Sequence, residues 1–413
     1  MVVEFSDIAA AAQRIRGKVV YSPCPASIPL SLATGMEIHC KLDNLQRTGS
    51  FKERGACNAL QLLGTAEQQR GVIAASAGNH ALGLTYHARL LGIPVTVVMP
   101  RTAPLTKVVN CRQMGGEVIL HGEDFETARQ EALRLQAERG LTLIHGFDDP
   151  AVIAGQGTMG LEILEQVPDV EAIIVPIGGA GLIAGVALAV KTLKPDVLII
   201  GVEPDRVASY AAAVVAGHPV MVAARPTLAD GLAVPQVGHN AFAVARPLVD
   251  HTVVVREQDV ALAVLRLVEL ERAVVEGAGA ASLAACLAGL VPELRGRKVV
   301  LPLSGGNIDT TILGRILERG LARDGRLCQF TAIISDRPGG LAAFAALIAD
   351  EGASIKHIEH ERTFMEGDLS TVTVRCVVET RDAGHIRELR ERLARDGYSA
   401  LFTESGPATG HAN

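Results

Sequence analysis

The sequence predicts an α/β protein of two lobes built on parallel sheets, followed by a smaller C-terminal module with the ferredoxin-like order of elements. The chain has 413 residues, which is more than a single hydrophobic core usually holds. Hydrophobic residues make up 48% of it and aromatic residues only 3%, which suits closely packed helices and sheets of small aliphatic side chains. Short β-branched segments alternate with longer helical patterns, as is typical of βαβ units.

Two series of βαβ units account for the two lobes. From Gly71 onward, the strand-like segments GVIAA, PVTVVMP and EVIL alternate with the helical pattern HALGLTYHARLLG and with a helix near Leu105–Met114. After Glu171, AIIVPIG and VLIIGVEP flank the helical pattern LIAGVALAVKTL, and KVVLPLSGG near 298–306 is a further buried strand. We therefore expect two α/β lobes with a cleft between them.

One uncharged stretch, Ala172–Val190, has about the length of a membrane span. The segment PIGGAG at Pro176–Gly181 interrupts it with residues that break both helices and strands. We expect a buried strand, a glycine loop and a helix here, and no membrane partner.

The C-terminal part of the chain has a different pattern. From Cys328 to Phe402 it reads strand, DRPGG turn, helix, strand, strand, helix, strand, which is the βαββαβ order of a ferredoxin-like module. The last residues, ESGPATGHAN, have no periodicity. The predicted domains are an N-terminal domain over 1–325, with a smaller lobe at about 44–148 inside it, a C-terminal module over 326–404 and a disordered tail over 405–413.

Charge and cysteine usage exclude several classes of function. The net charge is −6 and no block of five or six Lys and Arg occurs, so nucleic acid is not an expected partner. The seven cysteines are scattered and never spaced as C-x-x-C, which argues against a disulfide framework or a zinc site. The N-terminal MVVEFSDIAAAAQRIRG lacks the basic-then-apolar order of a signal peptide. These features predict a cytoplasmic protein with reduced thiols.

The segment RTGSFKERGA, Arg47–Ala56, places Lys52 just before a helix expected to begin near Glu53. The positive end of the helix dipole and the Arg54 guanidinium both disfavour another positive charge, so we expect a lowered pKa for this lysine. A neutral amine can attack an aldehyde. The structural alternative is a surface lysine in a turn capped by Ser50.

Three further loops follow predicted strands, where ligands bind in open α/β sheets. In SAGNHALG, backbone N–H groups at a helix start, with the Ser76 hydroxyl and the Asn79 amide, suit a carboxylate. The glycines of PIGGAGLIAG, Pro176–Gly185, let the backbone and a helix N-terminus approach a phosphate. In LSGGNID, the Ser304 hydroxyl can hydrogen-bond a neutral ring nitrogen. Taken singly, these loops have structural alternatives as a capped turn, as close helix-to-strand packing and as a simple turn.

Together, an imine-forming lysine, a carboxylate loop, a phosphate loop and a hydroxyl for a ring nitrogen describe a site for pyridoxal 5'-phosphate. Over about residues 5–320 the sequence resembles the fold-type II pyridoxal-phosphate enzymes and, among them, the threonine and serine dehydratases. The segments that carry the resemblance, in order, are LDNLQRTGSFKERGA, SAGNHALG, GQGTMGLEI, PIGGAGLIAG, GVEP, ADGLAV, VVEGAGAASLAA and LSGGNID.

The resemblance implies a role for each matched position. Lys52 would bind the cofactor aldehyde and later remove the α-proton of the substrate. The other implied cofactor contacts are Phe51 against the ring, Asn79 on the ring hydroxyl, Ser304 on the ring nitrogen, and Gly178, Gly179, Ala180, Gly181 and Leu182 on the phosphate. The implied substrate-carboxylate site is Ser76, Ala77 and His80. The implied reaction is β-elimination of water from L-threonine, and from L-serine, to give a 2-oxo acid and ammonia.

The sequence departs from the family pattern at three places. Ala180 replaces the third glycine of the common glycine quartet, at a cost of about 1–2 kcal/mol if that position needs a positive φ. Ala77 stands where related serine racemases carry a second serine, which disfavours racemisation. Ser209 stands six residues after Glu203, where some relatives carry a metal-binding carboxylate, so no tight magnesium site is expected.

The C-terminal module resembles an ACT domain, a fold that commonly binds amino acids at paired interfaces. The resemblance implies that the turn of Asp336, Arg337, Pro338 and Gly339 holds an amino acid effector through its backbone, with isoleucine the first candidate and valine the second. A module used only for dimerisation is the alternative, and a homo-oligomer, dimer or tetramer, is expected. Two other functions stay open: a lyase for another β-hydroxy amino acid, such as hydroxyaspartate or phenylserine, and a non-catalytic amino acid sensor.

Overall fold

The computed structural model describes residues 3–361 and 370–403, and the chain divides into two units, Met1–Thr310 and Thr311–Asn413. The division precedes the predicted boundary at 325 and 326 by one helix, because the helix Thr310–Arg323 falls in the C-terminal unit. The predicted domain limits stay a prediction, and the predicted disordered tail over 405–413 lies outside the described residues.

The N-terminal unit is built from parallel strands and the helices that connect them. Its strands are β1 Glu37–Lys41, β2 Val72–Ala75, β3 Val95–Met99, β4 Glu117–Leu120, β5 Thr142–Leu143, β6 Ala172–Pro176, β7 Leu198–Pro204, β8 His251–Val255 and β9 Lys298–Pro302. Its helices are α1 Phe5–Ile15, α2 Ile28–Thr34, α3 Lys52–Gln61, α4 Thr65–Arg70, α5 Asn79–Leu91, α6 Leu105–Gln113, α7 Phe125–Arg139, α8 Pro150–Gln166, α9 Gly181–Leu193, α10 Ser209–Ala216, α11 His239–Ala245, α12 Glu257–Glu271 and α13 Gly277–Leu287.

These strands form two parallel sheets, as the alternation of strand and helix patterns predicted. The smaller sheet has the order β4-β3-β2-β5, and the larger has the order β1-β9-β6-β7-β8. Three strands, β1, β5 and β8, were not predicted from the sequence. The strands β1 and β8 lie at the edges of the larger sheet, and β5, an edge strand of the smaller sheet, is only two residues long. Edge strands lack the continuous apolar run that marks a strand buried on both faces.

Glycines bring three helices of the N-terminal unit into backbone contact. A Cβ on Gly157 of α8 would lie 2.8 Å from the carbonyl oxygen of Gly185 in α9. A Cβ on Gly155, two residues earlier in α8, would lie 2.6 Å from the carbonyl oxygen of Arg54 in α3. The segment GQGTMG is therefore explained by close helix packing, which fixes α3 and with it Lys52 at its first residue.

The uncharged stretch at 172–190 forms β6, a glycine loop and most of α9, as predicted. Every residue of β6 is buried, and α9 contributes many side chains to the main core of the N-terminal unit. Within the described part of the chain, no helix combines the length and apolar character needed to cross a membrane.

The C-terminal unit has the predicted βαββαβ order, preceded by a helix. Its elements are α14 Thr310–Arg323, β10 Leu327–Ser335, α15 Gly340–Asp350, β11 Ser354–Glu361, β12 Thr371–Glu379, α16 Ala383–Arg395 and β13 Ala400–Phe402. The sheet is antiparallel with the order β11-β12-β10-β13. Its core is centred on Phe330 and Phe344, whose rings pack edge to face.

Candidate active site

A cavity of about 950 Å³ opens in the N-terminal unit, where the loops after β2 and β6, the residue two positions beyond β9 and the start of α3 meet. This volume is in the range of small-molecule and cofactor sites. All the site residues predicted for this unit line it, although they come from four separate segments: Phe51, Lys52, Ser76, Ala77, Asn79, His80, Gly178, Gly179, Ala180, Gly181, Leu182 and Ser304.

Lys52 is the first residue of α3, one residue earlier than predicted. Its Nζ donates a hydrogen bond of 2.6 Å to the carbonyl oxygen of Gly146 and lies 5.1 Å from the centre of the Phe51 ring. Burial lowers the pKa of Lys52 to about 8, and the nearby Glu276 carboxylate opposes part of this change. About a tenth of this amine is therefore a neutral nucleophile at pH 7, far more than for a lysine with the ordinary pKa of 10.5.

The lowered pKa of Lys52 was expected, but the part of its cause that was assigned to Arg54 was wrong. Arg54 does not act as a free positive charge beside Lys52. Its Nε lies 2.7 Å from Asp43 Oδ2 and its Nη1 lies 2.6 Å from Glu162 Oε1. Lys41 joins the same buried network through Glu162 Oε2 at 2.5 Å. Because two cations meet two carboxylates here, Arg54 anchors α3 and leaves desolvation as the main influence on Lys52.

Ser50 does not cap α3, contrary to the structural alternative for this segment. The residue before the helix is Phe51, and it makes no side-chain cap. The Ser50 hydroxyl is buried and has no hydrogen-bond partner among the described residues. Its backbone instead pairs with Gly305, and Phe51 N donates to Ser304 O at 2.9 Å, which ties the lysine segment to the loop after β9.

The glycine loop after β6 leads into α9, whose first residue is Gly181. Ala180 has φ of 71°, so the position does require the left-handed region that glycine tolerates best. A Cβ on Gly179 would lie 2.2 Å from the Phe147 ring, and one on Gly181 would lie 2.3 Å from the Phe147 carbonyl oxygen. The loop is therefore packed too closely for side chains, and the first N–H groups of α9 face the cavity as an anion site.

The loop after β2 presents a helix start to the cavity. Helix α5 begins at Asn79, and the Ser76 hydroxyl accepts a hydrogen bond of 3.2 Å from Gly78 N. His80 Nε2 lies 3.0 Å from the carbonyl oxygen of Ile144, so Nε2 carries the proton. Burial lowers the pKa of His80 to about 3 and keeps the ring neutral. Its Nδ1 is buried and has no hydrogen-bond partner in the part of the chain that the structure describes.

Several cavity residues were not assigned a role from the sequence. Glu276 stands next to α13, and Asp230 lies in a 3-10 turn at Asp230–Leu232. Both belong to segments that carried the family resemblance, VVEGAGAASLAA and ADGLAV. In each segment an acidic residue precedes a glycine, and this pattern could have identified Glu276 and Asp230 as site residues. Lys107 Nζ lies 3.6 Å from Asp230 Oδ2. Phe147 is another cavity residue without an assigned role, and it packs against the glycine loop.

Glu203, the acid of GVEP, is used for helix capping. Its Oε1 accepts a hydrogen bond of 2.7 Å from Tyr210 N, and its Oε2 accepts one of 2.8 Å from Ala211 N. Burial raises the pKa of Glu203 to about 7. Both carboxylate oxygens are thus directed at the N-terminus of α10, and the absence of a tight magnesium site stays a prediction.

In the C-terminal unit, the turn of Asp336, Arg337, Pro338 and Gly339 lies between β10 and α15, and Gly339 has φ of 93°. The effector was expected to bind the backbone of this turn, and part of that backbone is already bonded within the module. Asp336 N donates to Ser370 O at 2.9 Å and Arg337 N donates to Ser335 Oγ at 3.3 Å. Proline has no N–H. Much of the donor capacity of the turn is therefore used inside the module.

The cavity residues fit pyridoxal phosphate. A nucleophilic lysine, a helix N-terminus behind a glycine loop and buried polar groups without protein partners are the features that this cofactor needs. The unpartnered atoms include Nδ1 of His80 and Nε2 of Gln156, both on cavity-lining residues. Orphaned buried polar atoms are rare in proteins unless a ligand or water satisfies them.

Comparison with known proteins agrees with this geometry. The family model described as pyridoxal-phosphate dependent enzyme matches residues 15–305, and the ACT domain model matches residues 332–395. The L-threonine ammonia-lyase of Thermotoga maritima is 42% identical over 96% of this chain and 98% of its own. The L-threonine ammonia-lyase of Geobacter sulfurreducens is 44% identical over 93% of this chain and 96% of its own.

Solved structures share the fold. The processed form of threonine deaminase isoform 2 from Solanum lycopersicum superposes with a TM-score of 0.72 at 38% identity, covering 76% of this chain and 91% of its own. Maize serine racemase superposes with a TM-score of 0.73 at 35% identity, covering 78% and 98%. The chain belongs to the family of pyridoxal-phosphate dependent enzymes and carries a C-terminal ACT domain.

Proposed function

We propose that the protein is a pyridoxal 5'-phosphate dependent L-threonine ammonia-lyase that also accepts L-serine. The observation that carries this proposal is Lys52, a lysine of lowered pKa that faces a glycine loop and a helix N-terminus in one cavity. The proposed substrate follows from two relatives named L-threonine ammonia-lyase, which are 42% and 44% identical over nearly the whole chain. The products would be 2-oxobutanoate from threonine, pyruvate from serine, and ammonia.

The residues would divide the work as follows. Gly178 to Leu182 and the start of α9 hold the cofactor phosphate, Phe51 packs on its ring, and Asn79 donates to the ring hydroxyl. Ser304 bonds the ring nitrogen without protonating it, because a hydroxyl does not give up its proton at accessible pH. When bound, pyridoxal phosphate acidifies the α-carbon of the amino acid.

Lys52 would act as the base that removes the α-proton. With a pKa of about 8 it is matched to proton transfer near neutral pH. The carbonyl oxygen of Gly146, 2.6 Å from Nζ, orients the amine. Ser76, Ala77 and His80 line the side of the cavity where the N–H groups of α5 begin, which suits the substrate carboxylate. Because His80 is neutral, it supplies no positive charge that would bind a second carboxylate of a substrate.

The charges at the cavity disfavour the dicarboxylate alternative, hydroxyaspartate. Arg129 lines the cavity, but its Nε and Nη2 lie 2.8 and 2.6 Å from the two oxygens of Glu126. Lys107 is paired with Asp230. Because each of these cations already faces a carboxylate, a second substrate carboxylate would find little net attraction.

The test is a panel of L-threonine, L-serine, threo-3-hydroxyaspartate and phenylserine, scored for 2-oxo acid release by the purified holoenzyme. Threonine should be turned over with the largest kcat/KM. If threonine yields no 2-oxobutanoate while another substrate reacts well, the alternative lyase is correct. A colourless protein that takes up no pyridoxal phosphate would instead favour the non-catalytic sensor, as would failure of borohydride to modify Lys52.

We infer that the ACT domain binds an amino acid effector at the turn of Asp336, Arg337, Pro338 and Gly339, with isoleucine as the first candidate and valine as the second. The match of residues 332–395 to the ACT model supports this. Because most N–H groups of the turn are used internally, ligand contacts would fall on its carbonyls and on the second module of a homo-oligomer, a dimer or tetramer. Coupling between effector and active site would be about 1–3 kcal/mol.

The regulatory proposal is tested by an amino acid panel on the full-length enzyme and on a form truncated from Leu327. Turnover and oligomer mass are measured together. The full-length enzyme should respond to one amino acid, whereas the truncated enzyme keeps its activity and loses the response. If no amino acid alters the full-length enzyme and truncation changes only mass, the domain serves for dimerisation.

We place the enzyme in the cytoplasm, because all seven cysteines are free.

A further inference from the structure

Glu276 occupies a helix N-cap position but does not cap the helix. It precedes α13 with an extended backbone, φ −69° and ψ 160°, which is the usual N-cap conformation. An acidic residue there normally accepts a hydrogen bond from the first turn, yet this side chain makes no cap. The residue is 4% exposed, and it lines the cavity instead. Local structural rules of this kind are broken mainly at functional sites, so the missing cap indicates a functional role for Glu276.

The bond that Glu276 makes goes to Asn79. Asn79 Nδ2 donates to Glu276 Oε1 at 2.6 Å. On its other side, Asn79 Oδ1 accepts from Asn307 Nδ2 at 3.0 Å, and the same Asn307 amide donates to the carbonyl oxygen of Thr48 at 2.6 Å. An Asn307 amide held by a backbone carbonyl can only donate toward Asn79. The amide of Asn79 is therefore fixed at both ends, and its second N–H is left for a ligand.

The surrounding backbone makes room for this carboxylate. A Cβ on Gly305 would lie 2.3 Å from Glu276 Oε1, so the glycine after Ser304 is required by the position of the acid. Glu276 N also donates to Gly305 O at 3.0 Å. The loop that carries Ser304 and the helix start that carries Glu276 are thus one packed unit.

Glu276 and Lys52 also influence each other by charge. The carboxylate raises the pKa of Lys52 against the effect of burial, and the lysine lowers the pKa of Glu276. Burial, followed by the charge of Asp230, raises the pKa of Glu276 to about 7, and Lys107 acts in the opposite direction. Glu276 therefore changes charge in the pH range in which Lys52 becomes nucleophilic.

We propose that Glu276 is a positioning residue of this active site: it accepts the hydrogen bond that fixes the Asn79 amide toward the cofactor, and it supplies the counter-charge to Lys52. The inference rests on the proposed function, since it assigns the second N–H of Asn79 to the ring hydroxyl of pyridoxal phosphate. Glu276 itself acts through Asn79 and Lys52.

The first measurement is cofactor affinity, by titrating the apoprotein with pyridoxal 5'-phosphate and following the absorbance of the bound chromophore. Glu276→Ala removes the acceptor and should raise the apparent Kd about tenfold or more, as expected for loss of a hydrogen bond to a charged group. Glu276→Gln keeps an acceptor oxygen and should recover most of this affinity. Asn307→Asp replaces the donor by an acceptor of equal size and should weaken binding without touching Glu276.

The second measurement is the pH midpoint for chemical modification of Lys52 in the apoprotein, read by mass spectrometry. Removing the negative charge in Glu276→Gln should move this midpoint to lower pH. A purely structural residue would not move it. The matched control is Glu257→Gln: Glu257 is a largely buried acid whose Oε2 accepts from Leu228 N at 2.8 Å, outside the cavity lining. It should change neither cofactor affinity nor the Lys52 midpoint.

Wild-type affinity in Glu276→Ala, or an unchanged Lys52 midpoint in Glu276→Gln, would overturn the inference. If Glu276→Ala does not fold, Asn307→Asp carries the affinity measurement and Glu276→Gln carries the titration. A wild-type protein that binds no pyridoxal phosphate would refute the proposed function instead. The lysine midpoint would still test the charge coupling, because it is measured without cofactor.

Discussion

In the cofactor-free protein, Lys52 is expected to make the free energy of unfolding increase with pH in the alkaline range. Replacing Lys52 with methionine should remove this increase. Burial, opposed in part by Glu276, lowers the pKa of Lys52 from 10.5 to about 8. Between these values the unfolded chain holds a proton that the folded chain has lost, so the free energy of unfolding increases with pH. Below about pH 8 both states are protonated and the full cost of burying the ammonium group is present.

The magnitude follows from the change in proton affinity. A fall from 10.5 to about 8 corresponds to about 3.5 kcal/mol, at about 1.4 kcal/mol for each tenfold change. Lys52 keeps part of its surface exposed, and solvent screening reduces the cost to about 1–2 kcal/mol. The variant also loses the bond to Gly146 O, worth about 1 kcal/mol. That loss is the same at every pH. The pH dependence of the difference in unfolding free energy between the two proteins therefore reports only the ionisation of Lys52.

The assay is urea unfolding of the apoprotein followed by far-ultraviolet circular dichroism at pH 8 and pH 10. The wild-type protein should gain about 1 kcal/mol relative to Lys52→Met over this interval. Lys298→Met is the matched control, because its pairs with Asp169 and Glu37 raise the pKa of that lysine and give the opposite sign. Parallel behaviour of the wild-type protein and Lys52→Met would refute the reasoning. The variant should also be inactive in β-elimination.

Three other changes have defined outcomes. Ser304→Asp should retain pyridoxal phosphate but slow elimination and increase amino transfer to the cofactor, because a carboxylate protonates the ring nitrogen; unchanged partitioning in a product assay would contradict this. Gly181→Ala places a Cβ 2.3 Å from the Phe147 carbonyl oxygen and should destabilise the protein by about 1–3 kcal/mol and weaken cofactor binding. Arg272→Gly, at φ of 56° on an exposed helix end, should raise the free energy of unfolding by about 1 kcal/mol; a lower Tm would count against left-handed strain.

The sequence by itself determined the fold class and the loops that form the cavity. Buried strands such as AIIVP can be recognised from their continuous apolar and β-branched residues. The glycine loop before α9 can be recognised because only small residues permit such a turn. Local patterns of this kind do not depend on distant parts of the chain. The sequence also identified Ala180 as a position of strain, and the φ of 71° agrees with that reasoning.

The tertiary structure decided what surrounds each of these groups. Lys52 and Glu276 are 224 positions apart, and Asn79 and Asn307 are 228 apart, so no local pattern could bring either pair together. Arg54 stands two residues from Lys52, yet Asp43 and Glu162 neutralise it. This pairing arises from the packing of α3 against α8 and against the 3-10 turn Asp43–Leu45. A pKa depends on burial and on charges within a few ångströms. Both are properties of the folded chain, and the cause of the reactive lysine could be read only there.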